Sequence, residues 1–320
     1  MKKKLTISLL VYNGEKYLPA CLNSVFNQTF LDWELLILDN GSTDNSLSLV
    51  KDLINNNQDK ARVLPPKEKN IGFAAGHNQI IKQAGGQYIL ILNQDVILEP
   101  DFCERIINFM EKNEKAGVAI GLIYKWNFNG ARELTNESKT RIIDTAGLEL
   151  RRSFQVIDSG ENNSYKEEQE VFGASGCCPV YRWTALEEVS GFDKSFFCYK
   201  EDVDLAFRLR TAGWSAWLVN KAIAYHDRSV GTDSSRQRRP EFRNYLSYRN
   251  HLYVLLKNLA LSDALHCGIF IGWYEFKKLI YLILFERKSL YAWIEVFKSL
   301  PRLFKQRKQA KPKSVRNWIR

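Results

Sequence analysis

The sequence predicts an α/β fold, a Rossmann-like, mostly parallel sheet flanked by helices and followed by a C-terminal helical region. Three observations predict it. Apolar runs of strand length alternate with amphipathic stretches through the first 124 residues. Two of those runs, ELLILD and YILILNQD, end on an acid, Asp39 and Asp95. Beyond Pro240 the chain turns helical, aromatic and basic. A chain of 320 residues, 45% hydrophobic, suits one large domain plus a smaller unit around an ordered core.

The elements follow in order. Leu5–Tyr12 reads as a first strand. Residues 15–28 carry Leu18, Leu22, Val25 and Phe26 at helical spacing. Glu34–Asp39 is the second strand, and Ser42 is placed to cap a helix through Leu47, Val50, Leu53 and Ile54. Arg62–Leu64 is a short strand, and the glycine-spaced Asn70–Asn78 leads into a helix. Gln87–Leu92, Pro100–Lys112 and Val118–Tyr124 complete the alternation as strand, helix and strand. From 125 to 170 the pattern dissolves into polar loops and hairpins, with a turn signal at Asn129-Gly130. Order returns at Val171–Tyr181. A helix over Glu201–Ala212 should stop at Gly213, and Trp214–Tyr225 is strand-like.

Charge divides the chain. Residues 241–320 hold 16 Lys+Arg and 5 Asp+Glu, a net of +11, while the first 240 are about neutral. A basic tail suggests an anionic partner. The six cysteines show no C-x-x-C spacing, which argues against a zinc knuckle or redox motif, and reduced thiols fit a cytosolic setting. The opening MKKK and the short apolar run after it read as a first strand, since Asn13-Gly14-Glu15-Lys16 follows with no small-residue cleavage site. The longest apolar stretch, 269–285, is interrupted by Glu275, Lys277 and Lys278 and is too broken for a membrane span.

Acids at the carboxyl ends of parallel strands face the ligand crevice of such sheets. Asp39, in LDNGSTDNS, suits a hydrogen bond to a base N–H, and equally an Asx turn. Asp95 can serve as one oxygen ligand for Mg²⁺ or Mn²⁺, with a diphosphate supplying others. His226, ending the run NKAIAYHD, is a candidate second ligand. Glu201 and Asp202 open a helix, whose dipole should keep both ionised. Asp202 is assigned as general base, Glu201 as its support and Asp204 to structure, because the three acids cannot share one helix face. Asn70-Ile71-Gly72 through Asn78 is neither a Walker loop nor G-x-G-x-x-G, but its glycines allow backbone to approach a ligand.

Taken in order, ISLLVYNGEKYLPACLNSV, LILDNGSTDNS, NIGFAAGHNQ, LILNQDVILEP, GFDKSFFCYKEDVDLAFRLRTAGW and AYHDRSVGT resemble family-2 glycosyltransferases of the GT-A fold, most of all their bacterial rhamnosyltransferase-like branch. The likeness covers about residues 5–235, and Arg249–Asn258 resembles that branch's helical tail. It implies a catalytic domain over 1–238, with a nucleotide-sugar half to about 124 and an acceptor half over 171–238. It implies that Val11, Tyr12 and Glu15 surround the nucleotide and that Asp39 reads the base. Asn70, Gly72 and Asn78 would line the substrate. Asn93, Gln94 and Asp95 occupy the family's D-x-D positions, with Asn as the departure. Asp95 and His226 would hold a divalent metal, and Asp202 would be the base.

The implied activity is inverting transfer of a single sugar, because the Q-x-x-R-W motif of processive synthases is absent. The donor would be a nucleoside-diphosphate-sugar, dTDP-L-rhamnose first and a UDP-hexose next. The acceptor would be a glycan or a lipid-linked hydroxyl used in surface polysaccharide synthesis. Phe297–Arg320 carries nine basic residues and no acid, so peripheral attachment to an anionic membrane on the cytoplasmic face is expected. The same composition also suits a soluble tail that forms a homodimer. A sugar nucleotidyltransferase would place a basic glycine-rich loop after the first strand, where Tyr12-Asn13-Gly14-Glu15-Lys16 stands. A non-catalytic nucleic-acid binder would use the tail alone, and the acids of the first domain argue against a nucleic-acid partner.

Overall fold

The computed structural model describes residues 3–128, 138–160, 165–227 and 241–320. The Asn129-Gly130 turn signal and the motif residues from Arg228 to Pro240 lie outside the described residues. Strand β1 (Leu5–Val11) is buried along almost its whole length, as expected of a strand covered on both faces. Strands β2 (Trp33–Asp39), β3 (Ala61–Val63) and β4 (Tyr88–Asn93) run parallel to it in the order β3-β2-β1-β4. The register sets Val11 beside Asp39 and Leu10 beside Asn93, so three strands finish at one edge. Helices α1 (Leu18–Phe26), α2 (Ser46–Ile54) and α3 (Phe73–Ile81) make the crossovers.

Helix α2 starts later than Ser42 suggested. Its N-cap is Asn45, and the Ser42 hydroxyl instead accepts a hydrogen bond from the Asn13 N–H at 3.0 Å. Residues 41–44 are taken up by the turn at Asp39, so the helix cannot begin there.

The second half of the sheet is mixed. Strand β5 (Val96–Leu98), helix α4 (Phe102–Lys112) and the long β6 (Ala116–Trp126) come first. The polar stretch then supplies β7 (Lys139–Thr145), a hairpin of β8 (Leu148–Leu150) and β9 (Val156–Asp158), and β10 (Glu168–Val171). Next are β11 (Val180–Arg182), α5 (Trp183–Glu188), α6 (Glu201–Ala212) and β12 (Ser215–His226). Strand β11 is inserted antiparallel between β4 and β6, and β12 lies parallel to β6. Along its main path the sheet is mostly parallel. As the sequence suggested, α6 ends at Gly213, which adopts φ +95°.

Between Val219 and Ile223 the pairing of β12 with β6 slips by a bulge. A Cβ at Gly121 would lie 2.2 Å from the Ala222 carbonyl oxygen, so the bulge needs glycine on the neighbouring strand.

The C-terminal region consists of α7 (Glu241–Asn258), α8 (Leu261–Phe285) and α9 (Tyr291–Ala310). It shares a second hydrophobic core with α6 and the β8–β9 hairpin, including Phe154, Phe207, Tyr253 and Leu303. A buried ion network fastens the two together. The Asp204 carboxylate accepts from Arg208 Nε at 2.8 Å and from Asn258 Nδ2 at 2.9 Å, and pairs with Lys257 Nζ at 2.8 Å. Lys257 Nζ also reaches Asp193 at 2.5 Å. Burial alone would raise the Asp204 pKa, but Lys257 and Arg208 outweigh it and hold the carboxyl well below its ordinary range. The structural assignment of Asp204 is therefore visible in its partners.

Replacing Lys257 with alanine takes the cation from the largely buried Asp193 carboxylate and leaves Asp204 with Arg208 and Asn258, and should cost about 3–5 kcal/mol, read from urea unfolding at neutral pH. Because the folded pKa of Asp204 is depressed, its contribution is complete above about pH 3.9, the unfolded value. It is lost as pH falls through the lower folded value. The Lys257→Ala variant should accordingly show a shallower acid limb than the parent protein.

Candidate active site

Four loops meet at the carboxyl edge of β1, β2 and β4. The Tyr12 N–H donates to Gln94 Oε1 at 3.0 Å, and Gln94 Nε2 donates back to the Tyr12 carbonyl at 2.9 Å. A side chain thus imitates a strand partner and ties the β1 and β4 loops together. Glu15 accepts from the Asn45 N–H at 3.2 Å and from Asn45 Nδ2, joining the β1 and β2 loops. Asn40 Nδ2 donates to Asn70 Oδ1 at 3.0 Å, and the Ile71 N–H donates to Asn40 Oδ1 at 3.0 Å, bringing in the glycine-spaced loop.

Asp39 is buried. Its Oδ2 accepts from the Gly41 and Ser42 N–H groups at 3.3 and 3.2 Å, the Asx turn anticipated from DNGS. Its Oδ1 is buried with no hydrogen-bond partner, an arrangement that costs free energy until a donor arrives. Tyr12 is 43% exposed at the rim. Val11 is fully buried, backbone included, and its carbonyl accepts from the Asn40 N–H at 2.7 Å, so it offers no surface to a ligand and supports the site from beneath, contrary to its expected place around the nucleotide. The carboxamide of Asn78 is engaged by the Phe192 backbone, donating at 2.7 Å and accepting at 3.0 Å, which makes it a tie between α3 and the segment before α6. Gly72 has φ +87°, and a Cβ there would lie 2.6 Å from the Phe197 carbonyl oxygen. Only glycine fits that approach.

Asp95 lies between β4 and β5. Strand β5 pairs antiparallel with the end of β12, setting His226 opposite Val96, and the Asp227 N–H donates to the Asp95 carbonyl at 3.0 Å. His226 Nε2 consequently stands 3.5 Å from Asp95 Oδ1. Its Nδ1 is 2.9 Å from Asp144 Oδ2 on β7. An ionised carboxylate only accepts, so Nδ1 carries the proton and Nε2 is turned toward Asp95. Two electron-rich atoms then face each other, and a cation between them is required, either a proton or a metal. Burial opposes charge on His226, but Asp95 and Asp144 outweigh it and lift its pKa well above the ordinary histidine value.

Asp202 and Glu201 open α6 with different surroundings. Asp202 is partly exposed. Its Oδ2 accepts from the Gly176 N–H at 2.9 Å and its Oδ1 from the Val203 N–H at 2.8 Å. Burial and the nearby Asp158 raise its pKa despite those two donors. For Glu201, burial works against the expectation that the helix dipole keeps both acids ionised. This residue is 6% exposed, its Oε2 has no partner, and burial together with Asp202 pushes its pKa well above the carboxylate range. Desolvation outweighs the helix dipole there.

The two acidic centres are joined by two residues. The Asn93 N–H donates to the Cys177 carbonyl at 2.9 Å, and the neighbouring Gly176 N–H holds Asp202. Asp95 and Asp202, 107 positions apart by their numbers, thus sit along the same edge. Asp144 was missed by sequence reading. It lies in the irregular polar stretch, and only its position beside His226 reveals it. A hollow of about 520 Å³ at the opposite end of β1, lined by Lys4, Asp32, Gly85 and Trp183, contains none of these residues.

The architecture and its acid-lined carboxyl edge define a GT-A-type α/β protein. Residues 6–190 match Glycosyl transferase family 2, and the chain belongs to that family. It is 26% identical over 246 residues to N-acetylglucosaminyl-diphospho-decaprenol L-rhamnosyltransferase of Mycobacterium tuberculosis, covering 72% of this chain and 78% of that protein. It is 30% identical over 124 residues to glycosyltransferase GlyA of Streptococcus pneumoniae serotype 4. That match covers 39% of this chain and only 17% of the longer relative. In fold it is similar to the mannosyltransferase PcManGT from Pyrobaculum calidifontis in complex with GDP-Man and Mn²⁺. The TM-score is 0.57 at 14% identity, over 99% of this chain and 83% of that one.

In metal-free protein, the Asp144→Asn variant should titrate His226 at lower pH than the parent, because one of the groups raising its pKa is gone. NMR titration of the imidazole reads this, and an unchanged midpoint would show that Asp144 contributes nothing to the shift. Gly72→Ala should cost about 1–3 kcal/mol from the glycine-only backbone conformation alone, φ +87° with ψ 163°, measured as a fall in unfolding midpoint.

Proposed function

We propose that the protein is an inverting, metal-dependent glycosyltransferase that moves one sugar from a nucleoside-diphosphate-sugar to a hydroxyl. The leading donor is dTDP-L-rhamnose and the next a UDP-hexose. The acceptor is a glycan or lipid-linked saccharide in surface polysaccharide synthesis, at the cytoplasmic face of the membrane. The observation that carries the reading is the pairing of two acidic centres across Gly176-Cys177: Asp95 with His226 on one side, Asp202 on the other. The name of the mycobacterial relative, a rhamnosyltransferase acting on a lipid diphosphate-linked sugar, supports the donor and acceptor classes.

Asp95 and His226 suit Mg²⁺ or Mn²⁺. Among the described residues no group of three or more candidate ligands gathers, so substrate oxygens would complete the coordination. That is usual for an ion bound with a diphosphate. When bound, the ion supplies Lewis-acid neutralisation of the departing diphosphate. Asp39 Oδ1 awaits a donor, which the N–H of a uracil or thymine base would supply. Tyr12 at the rim lines the nucleotide, Val11 and Gly72 pack beneath it, and Asn93 and Gln94 shape its approach. Asp202 accepts the proton of the attacking hydroxyl, and its raised pKa makes it a stronger base than a solvated aspartate. Burial and the neighbouring Asp202 raise the Glu201 pKa, so Glu201 holds its proton more tightly than a solvated glutamate while it supports Asp202. Asp144 holds His226 in the orientation that faces Asp95.

Asp202→Asn should lower turnover by about 10²–10⁴-fold with donor binding retained. Asp95→Ala should abolish Mn²⁺-dependent donor binding, measured by calorimetry with and without the ion. Release of nucleoside diphosphate is the expected product signature. Pyrophosphate release would mark a nucleotidyltransferase, and near-normal turnover in Asp202→Asn would refute the base assignment.

A further inference from the structure

Helix α8 leaves one face uncovered. Leu265, Ile269, Trp273, Phe276, Ile280 and Leu284 recur every three or four residues and are all exposed, Leu265 at 81% and Ile269 at 87%. Trp273 and Phe276 stack on each other at a centroid distance of 5.9 Å. The opposite face is fastened down. Glu275 Oε1 lies 2.6 Å from His251 Nε2 on α7, Asp263 accepts from the Val315 N–H at 3.0 Å, and Leu282 is fully buried. The stripe is therefore presented outward by a helix whose rotation is set by its inner face. A contiguous apolar face of this kind marks an interaction surface.

Its surroundings select the partner. Residues 241–320 carry a net charge of +11. Lys277, exposed on α8, places its Nζ 5.5 Å from the Trp273 ring, and Arg287 and Lys288 are exposed just beyond the helix end. A second copy docked on this stripe would bring two such positive regions together. An anionic lipid surface instead accepts the apolar residues and neutralises the charge. No helix among the described residues is long and apolar enough to cross a bilayer. At 25 residues, about 37 Å long, α8 can lie in the interface plane.

We propose that α8 is the membrane-docking element of this protein, lying in the headgroup–acyl boundary of an anionic bilayer with Leu265, Ile269 and Trp273 inserted. This deepens the membrane attachment in the reading above, and rests on it, but moves the insertion from the basic segment 297–320 to an upstream helix. The basic segment contributes long-range attraction, and α8 contributes insertion.

The test uses the full chain and vesicles of phosphatidylcholine, alone or with an equal amount of phosphatidylglycerol, in sedimentation assays. The parent should bind the anionic vesicles more strongly. The triple variant Leu265→Ser, Ile269→Ser, Trp273→Ser changes only exposed positions, and circular dichroism checks that it folds. It should bind anionic vesicles about tenfold more weakly or worse. Brominated lipid should quench part of the parent's tryptophan emission, and Trp273→Phe should lose that part. If the triple variant binds as the parent does and no quenching is lost, α8 is not the docking face, although membrane attachment stands. If the parent binds neither vesicle, both the attachment and the α8 assignment fail. If the parent is a dimer that the triple variant makes monomeric, with no vesicle binding, the stripe's occupant is a second copy and the proposal is overturned.

Discussion

The site depends on a two-residue brace. Gly176 gives its N–H to Asp202, and Cys177 gives its carbonyl to the N–H of Asn93 at the end of β4. Neither contact is strong alone, since a single hydrogen bond contributes only about 0.5–1.5 kcal/mol net. Their value is geometric. They fix the start of α6 against the carboxyl edge of the parallel sheet, and so hold Asp202 in register with the strand that delivers Asp95. The insertion of β11 between β4 and β6 is what carries this segment to that edge.

The approach to α6 is strained. Phe197, Tyr199 and Lys200 all take φ between +63° and +68° without being glycine. Each such residue costs on the order of 1–2 kcal/mol. The cost is offset from the C-terminal region: Asn250, fully buried, donates toward the carbonyls of Phe196, Cys198 and Tyr199, and Arg249 donates to those of Ser195 and Phe196. The helical tail is consequently part of the scaffold of the site. A helix from the tail shapes the turn from which Glu201 and Asp202 project, while another face of the same region looks outward to solvent.

Much of the site was legible in the chain. Asp39 and Asp95 announced themselves because a parallel strand buried on both faces reads as an unbroken apolar run, and the polar residues that end it, Asp39 directly and Asn93-Gln94-Asp95 in the second case, lie at the carboxyl edge of the sheet. Asp204 was separable from Asp202 by helical periodicity, and its partners Arg208 and Lys257 agree. Ser42 misled because a good capping residue can be claimed by another loop, here by the N–H of Asn13. Glu201 is harder to read because local dipole reasoning cannot see the burial and the Asp202 charge that raise its pKa. Asp144 was invisible: it acquires its role only where β7 and β12 flank β6.

The sequence by itself determined the alternating elements, the acids at the strand ends and the basic, aromatic tail, because periodicity and the chemistry of single residues are local properties. Tertiary structure alone decided that His226 faces Asp95, that Asp144 orients it, that Glu201 is buried beside Asp202, and which face of α8 stays bare. Those facts depend on strand register and helix packing between residues far apart in the chain. A one-residue slip in the pairing of β5 with β12 would turn His226 to the other face of the sheet.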